Sequence, residues 1–279
     1  MFAKLLNLKQ SIFVVSLVVM LVLANVQPAL AAWYPNNITA LGDSITRAYN
    51  TGSTGFSDAP ANSWTTGTNT SVNSLYSRIL AVNPLISAKN TNLAVSGAKM
   101  VDLNGQAAKI ATTTEYVTIL MGANDVCTSS VTNMTAVATF QAQFEAAMAT
   151  ITSRAPNAKV YVVSIPNVYN LWTVFKNNST ARATWSLFKI CQSLLANPTS
   201  TKQADVNRRA AVQQRNREFN TVLATVCARY TQCHFDNNAV FNTVFTTADV
   251  STRDYFHPSL SGQTKLAGAA WAAGGLPYP

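Results

Sequence analysis

Histidine is nearly missing from this chain: only His234 and His257 occur in 279 residues. The four cysteines, Cys127, Cys191, Cys227 and Cys233, include no Cys-x-x-Cys pair. A zinc site, which draws on clusters of these two residue types, is therefore a poor fit, and no metal or cofactor is expected. Charge is also scarce, at 11% of residues, and it is one-sided, with 20 basic against 11 acidic side chains. A basic balance raises nucleic acid as a partner, but the charges are dispersed and no recognisable nucleic-acid motif accompanies them, so none is expected. The densest basic group, Arg208, Arg209, Arg215 and Arg217, falls in a helical pattern and reads as a solvated face. Attraction to an anionic lipid surface is its secondary reading, so a transient lipid contact stays open. Beyond the N-terminus no stretch is apolar enough to span a membrane, no Pro/Ser-rich linker divides the chain, and no internal repeat is visible. One domain is the simplest organisation, since nearly half the residues are hydrophobic and a sizeable core can be buried.

The N-terminus stands apart from that domain. Lys4 and Lys9 give a positive start, residues 11–24 form an uncharged apolar run, Pro28 breaks it, and Ala29-Leu30-Ala31 supplies a small–x–small cleavage pattern. The run is shorter than the ~20 residues a spanning helix needs. Residues 1–31 are read as a secretory signal peptide and 32–279 as the exported catalytic domain. Four cysteines in an exported chain favour disulfides over free thiols. Three connectivities are possible; proximity in sequence favours Cys227 with Cys233, which leaves Cys127 with Cys191.

Short apolar runs alternate with helical patterns along the rest. Residues 38–41, 89–95, 117–121, 160–165 and 234–235 read as strands, the third and fourth nearly continuous in hydrophobicity, as strands covered on both faces should be. Phe140, Phe144, Met148 and Ile151 mark one face of a helix over 137–155, and Phe219, Val222, Leu223 and Val226 do the same over 204–230. Residues 259–273 read as a closing helix stopped by Gly274-Gly275. This alternation predicts a parallel sheet with helices on both faces, with the functional crevice beyond the carboxyl ends of the strands.

The residues following the strands are of a particular kind. Gly42-Asp43-Ser44 follows the first, Ser96-Gly97 the second, Gly122-Ala123-Asn124-Asp125 the third, and Asp254-Tyr255-Phe256-His257-Pro258 lies near the end. Alone, each is a common turn or cap motif. Together they meet the needs of acyl transfer. A serine hydroxyl becomes nucleophilic when a base takes its proton, and histidine is that base near neutral pH. His234 sits in an apolar run and reads as a half-buried strand residue. His257 lies in a loop three residues after Asp254, a spacing that lets the carboxylate reach the far ring nitrogen. An oxyanion hole needs donors aimed at the developing charge. The amide of Gly97, the side chain of Asn124, and the amide of Ser44 at the start of a helix would supply them.

These four blocks, in this order, resemble the SGNH hydrolases, also called GDSL lipases and esterases, over nearly the whole mature chain. Residues 40–46 resemble the first block, 92–98 the second, 122–125 the third and 254–259 the fifth. The resemblance implies a three-layer α/β/α, flavodoxin-like fold with a five-stranded parallel sheet. It implies Ser44 as nucleophile, His257 as general base and acid, and Asp254 as its orienter. Ser44, Gly97 and Asn124 would form the oxyanion hole, with Asp43 and Asp125 holding loops. Ala48 departs from the family, which often has glycine there, and the usual glycine surroundings of the second block are absent beyond Gly97. Cys127 gives a Gly-x-Asn-Asp-x-Cys pattern similar to phospholipase-like and secreted lipase members, and a bond to Cys191 would tether the oxyanion loop to the segment after the fourth strand. That segment, residues 165–195, is rich in aromatic side chains and reads equally as an acyl-binding wall or lid and as ordinary core. The expected activity is that of a secreted, monomeric esterase or lipase on small-molecule or lipid esters. A carbohydrate acetylesterase of the same fold and a secreted non-catalytic binding module are the alternatives.

Overall fold

Five parallel strands carry the architecture of the computed structural model, which describes residues 33–276; the expected signal peptide lies outside the described residues. The strands are β1 (Ile38–Gly42), β2 (Asn90–Asn92), β3 (Tyr116–Leu120), β4 (Lys159–Val162) and β5 (Cys233–Phe235). They pair in the order β2-β1-β3-β4-β5, all parallel. Central β1 and β3 are buried along their whole length, which is why their sequences show apolar continuity rather than alternation. Edge strand β2 is shorter than its apolar run. Its ladder bonds nevertheless continue at Leu93, which donates to Ala40 (2.8 Å), and Val95, which donates to Gly42 (3.1 Å).

The main helices are α1 (Leu75–Val82), α2 (Met100–Ala107), α3 (Val137–Arg154), α4 (Val168–Phe175), α5 (Ser179–Leu187), α6 (Gln203–Cys227) and α7 (Leu260–Ala270). On one face α3 packs against both α2 and α6. The expected apolar stripe of α3 is wholly buried, and Phe140 stacks on Phe219 of α6 with ring centroids 3.9 Å apart. Aromatic pairs of this kind contribute ~0.5–1.5 kcal/mol beyond their area. α3 stops at Arg154 because Pro156 follows two residues later and disfavours helical backbone at Ala155. On the other face lie α1 and α7. There Arg78 of α1 stands over the Trp271 ring, and the Tyr161 hydroxyl of β4 donates to Ala270 of α7 (2.7 Å). The result is the three-layer α/β/α, flavodoxin-like sandwich.

Both disulfides form as sequence proximity favours. Cys227–Cys233 closes the turn from α6 into β5, and Cys127–Cys191 joins segments 64 residues apart.

The basic cluster of α6 is not a solvated face. Arg208 donates to the carbonyls of Gln192, Ser193 and Ala196, and Arg209, 3% exposed, donates to Ser200 and stacks over Trp172 at 4.7 Å. Arg215 reaches the Thr135 carbonyl (2.5 Å) and Glu218. The physical reason is a shortage of donors. The short helix Gln192–Leu195 ends, like any helix, with more carbonyls than its own backbone amides can satisfy, and a guanidinium with five N–H groups can bond several at once. Arg217 is not among the residues bound in this way.

In this strand order the chain runs outward in opposite directions from β1 and β3. The carboxyl ends of these two strands therefore border the crevice where ligands bind in open parallel sheets.

Candidate active site

The site begins with the way β1 ends. Gly42 has φ +153°, and a Cβ there would stand 2.5 Å from the Leu120 carbonyl oxygen, so only glycine permits β1 and β3 to approach this closely. Gln106 of α2 holds the same residue from the other side, accepting from Gly42 N and donating to Gly42 O, both at 2.8 Å. Asp43 follows, fully buried, with Oδ1 accepting from Ile45 N (2.8 Å) and Oδ2 without a hydrogen-bond partner. Burial pushes its carboxyl up to about 7.

Contrary to the expectation from sequence, Ser44 does not start a helix. Residues 44–50 form a compact turn: Arg47 N donates to Asp43 O, but Ala48 then adopts φ +50° and Tyr49 N reaches back to Ser44 O. The left-handed residue stops helical propagation after one turn, so the Ser44 amide draws on no helix dipole. Ala48 occupies the position where the family often has glycine, and its positive φ accounts for that preference.

The turn delivers Ser44 to His257. Nε2 of His257 lies 2.8 Å from Ser44 Oγ, and Nδ1 lies 2.6 Å from Asp254 Oδ2. Three residues span the Asp254–His257 contact because Tyr255 turns through φ +54°. That turn also lets the amides of Phe256 and His257 donate to Asp254 Oδ1, at 2.9 and 3.1 Å. Asn50 Nδ2 supplies a further donor to Oδ2 at 2.5 Å. Burial alone would raise the Asp254 pKa, but the hydrogen bond and charge of His257 and these amides outweigh it and hold the carboxyl below its usual range. Tyr49, tilted, and Phe256, edge to face, flank the imidazole, with centroids 4.9 and 5.0 Å away.

Asn124, one residue into the short helix that follows β3, lines the same cleft as Ser44 and His257. Its Nδ2 donates to Ala98 O (2.9 Å), which leaves its second N–H for a ligand. Through this bond the loop after β2 is fixed against the loop after β3. Gly97 itself, exposed with φ +84°, lines a neighbouring depression rather than the Ser44 cleft. Asp125 holds loops: Oδ2 accepts from Met100 N (2.9 Å) at the start of α2, and Oδ1 from Thr135 Oγ1 (2.7 Å). The disulfide from Cys127 reaches Cys191 just behind this loop. His234 is half-buried on β5, with Nε2 3.2 Å from Ala273 O and its ring stacked on Tyr161.

The far wall of the cleft is apolar. Pro166, Val168, Leu171 and Val174 form one side, and Phe245, Val250 and Phe256 face them. The segment 165–195 thus divides its work. One edge of α4 lines the cleft, whereas Phe175 and Trp185 are core, and the Trp185 indole donates to Tyr255 O (2.9 Å) behind the Asp254–His257 turn. Asn220 of α6 fixes the root of this wall, accepting from Ile165 N (2.8 Å) and donating to Ile165 O (3.1 Å). Asn50, Gln106 and Asn220 were not singled out from sequence. Each is a lone amide outside the four blocks, and only tertiary placement gives it a task.

An extracellular lipase from Streptomyces rimosus superposes with a TM-score of 0.52 at 20% identity, covering 85% of this chain and 99% of that one. A phospholipase A1 from Streptomyces albidoflavus NA297 gives a TM-score of 0.49 at 19% identity, covering 87% and 100%. A family two carbohydrate esterase from Clostridium thermocellum, in complex with cellohexaose, gives 0.47 at 17% identity, covering 85% and 62%. At these identities the likeness is one of fold. No curated protein sequence matches. The sequence profile of the GDSL-like lipase/acylhydrolase family matches residues 40–265, the span that contains every block around this cleft, and the chain belongs to that family.

Proposed function

We propose that the protein is a secreted serine carboxylic-ester hydrolase acting through an acyl-enzyme, with Ser44, His257 and Asp254 as its triad. The observation that carries this reading is the unbroken relay from Ser44 Oγ through both ring nitrogens of His257 to Asp254 Oδ2, at 2.8 and 2.6 Å. His257 Nε2 takes the hydroxyl proton as Ser44 Oγ bonds to the ester carbonyl carbon. Asp254, held ionised by its four donors, fixes the tautomer with the proton on Nδ1 and stabilises the imidazolium. The free N–H of Asn124 and the amide of Ser44 receive the oxyanion. Collapse of the tetrahedral species breaks the carbon–alkoxide bond, and the alcohol leaves with the proton from Nε2. Water then enters by the same base, attacks the acyl-enzyme, and releases the acid and free Ser44.

The apolar wall of the cleft favours an acyl chain longer than acetyl, since a polysaccharide deacetylase has little use for a lining of Leu171, Val174 and Phe245. Export is supported by the charged, apolar and small-residue zones of residues 1–31 and by the two disulfides. The test is hydrolysis of p-nitrophenyl esters from acetyl to palmitoyl by the mature protein and by Ser44→Ala. Activity lost in the variant, with a maximum at butyryl or longer, is the expected result. Activity confined to acetyl would replace the lipid-ester reading with the carbohydrate one. Equal negligible rates in both proteins, on polysaccharide and phospholipid substrates as well, would leave the binding module in place.

A further inference from the structure

Beside the catalytic turn lies an apolar surface that the acyl-transfer geometry does not use. Phe56, on the loop after the nucleophile turn, is 57% exposed, and its ring centroid stands 6.0 Å from that of Phe188. Phe188 is 55% exposed and its neighbour Leu187, the last residue of α5, is 75% exposed. Single exposed apolar residues are ordinary on protein surfaces. Two aromatic rings brought together from distant segments, with a leucine next in sequence, form a patch of the kind that marks an interaction site.

Both segments are anchored on the loop that carries Asp254 and His257. The Arg253 guanidinium donates to the carbonyls of Thr54 (2.7 Å) and Ser53 (3.0 Å), two and three residues before Phe56. Trp185, three residues before Phe188, donates to Tyr255 O. The patch therefore has a fixed position relative to the catalytic histidine.

Around Phe188 the charges have one sign, and at the Phe56 side the nearby acid, Asp58, is paired with Arg47 (2.9 Å). No acidic residue occurs between Glu145 and Asp205, while Lys176, Arg182, Lys189 and Lys202 fall in that interval. Lys189 follows Phe188 and is exposed, and Arg253 stands at the Phe56 side. A second copy of the chain seated symmetrically on the patch would bring these cations face to face, which disfavours self-association. A surface of opposite charge that also accepts aromatic rings suits them.

We infer that Phe56, Leu187 and Phe188, with Lys189 and Arg253, form a docking patch for an anionic phospholipid bilayer, the rings seated at headgroup depth and the cations on acidic lipid. Interfacial binding of this kind grows with apolar area buried and with attraction to anionic headgroups. It needs no turnover and so does not depend on the hydrolase reading.

Ser44→Ala protein, which consumes no lipid in the proposed mechanism, is co-sedimented with large vesicles of phosphatidylcholine alone or mixed equally with phosphatidylglycerol. Retention on the mixed vesicles alone, weakened by added salt, is expected. Adding Phe56→Ser and Phe188→Ser together should lower the partition coefficient about tenfold or more, and adding Lys189→Glu instead about fivefold or more. Both sets, placed in the wild-type background, should keep the wild-type melting temperature and hydrolysis of soluble p-nitrophenyl butyrate. Equal retention of parent and phenylalanine variants, or none on anionic vesicles, overturns the proposal. So does a dimer in sedimentation velocity that the same variants abolish, because that assigns the patch to a second copy. Vesicle binding that persists when Ser44→Ala and wild type hydrolyse soluble esters equally would sink the hydrolase reading and leave the docking patch standing.

Discussion

Asp43 adjoins the nucleophile, wholly buried, with one carboxylate oxygen bonded to a backbone amide and the other without a partner among the described residues. Its pKa, near 3.8 in an unfolded chain, rises to about 7 in the fold. Between these values the folded state holds a proton that the unfolded state has lost, so stability contributed here falls as pH rises from about 4 to 7. Asp254 works in the opposite sense: its lowered pKa gives stability that is present above the ordinary carboxylate range and lost on acidification. Asp43→Asn keeps an acceptor for Ile45 and removes the titration. Its melting temperature relative to wild type should therefore climb between pH 4 and 7, and a constant difference would refute the assignment. Asn50→Ala removes one of the four donors to Asp254, at a charged acceptor. We expect kcat on p-nitrophenyl butyrate to fall ~10-fold with KM little changed, since bonds to charged groups are worth ~1.5–3 kcal/mol. Asn124→Ala should cost ~10²–10³ in kcat, as loss of other oxyanion donors does. The triad was legible in sequence because a single loop histidine stood three residues from a carboxylate. Asn50 was not, because nothing in a Thr/Gly-rich loop shows that it meets Asp254 at a sequence separation of 204.

Two elements meet at the end of β1, and the amide that joins them does so through a helix that the catalytic blocks do not include. Gln106→Leu keeps the volume of that side chain but removes the acceptor of Gly42 N and one of the two donors to Gly42 O, the other being Val95 N, so a buried N–H is left unpaired. We expect a loss of ~2–4 kcal/mol in urea unfolding, with activity lowered through displacement of Ser44. The turn after β1 has a different vulnerability. Ala48 is buried at a positive φ, so Ala48→Val adds a β-branched side chain where backbone and packing both resist it, a loss of ~1–3 kcal/mol or more. Strand and helix existence followed from hydrophobic period, and α3 and α6 have the buried faces their apolar spacing predicted. The helix expected from Ser44 failed for a local reason. Residues 44–50 have no apolar stripe to dock, and a left-handed Ala48 leaves no sequence signal when glycine is absent. The arginines of α6 misled for the opposite reason: charge reads as solvent exposure, but the carbonyls they satisfy belong to segments remote in sequence.

For the molecule as a whole, the parallel sheet order was implicit in the strand–helix alternation and explicit in the four motif blocks, whereas the lining of the cleft was not. Which edge of 165–195 faces substrate depends on α6, whose Asn220 grips Ile165. The two disulfides differ in how much unfolded freedom they remove. By loop length, replacing both Cys127 and Cys191 with serine should cost about 4 kcal/mol, and replacing Cys227 and Cys233 about 2. Thermal melts of the two double variants should rank in that order. Export carries its own check: N-terminal sequencing of the secreted protein should begin at Ala32. The longer bridge also bears on survival outside the cell. Cys127 and Cys191 enclose β4, α3, α4 and α5 in one covalent ring, and the exposed stretch 177–180 lies inside it. A protease that cuts the chain there severs the backbone but separates no fragment. Asn124 and Trp185 stay covalently joined through the sulfur bridge, so an enzyme nicked once in that stretch still migrates as a single species until it is reduced.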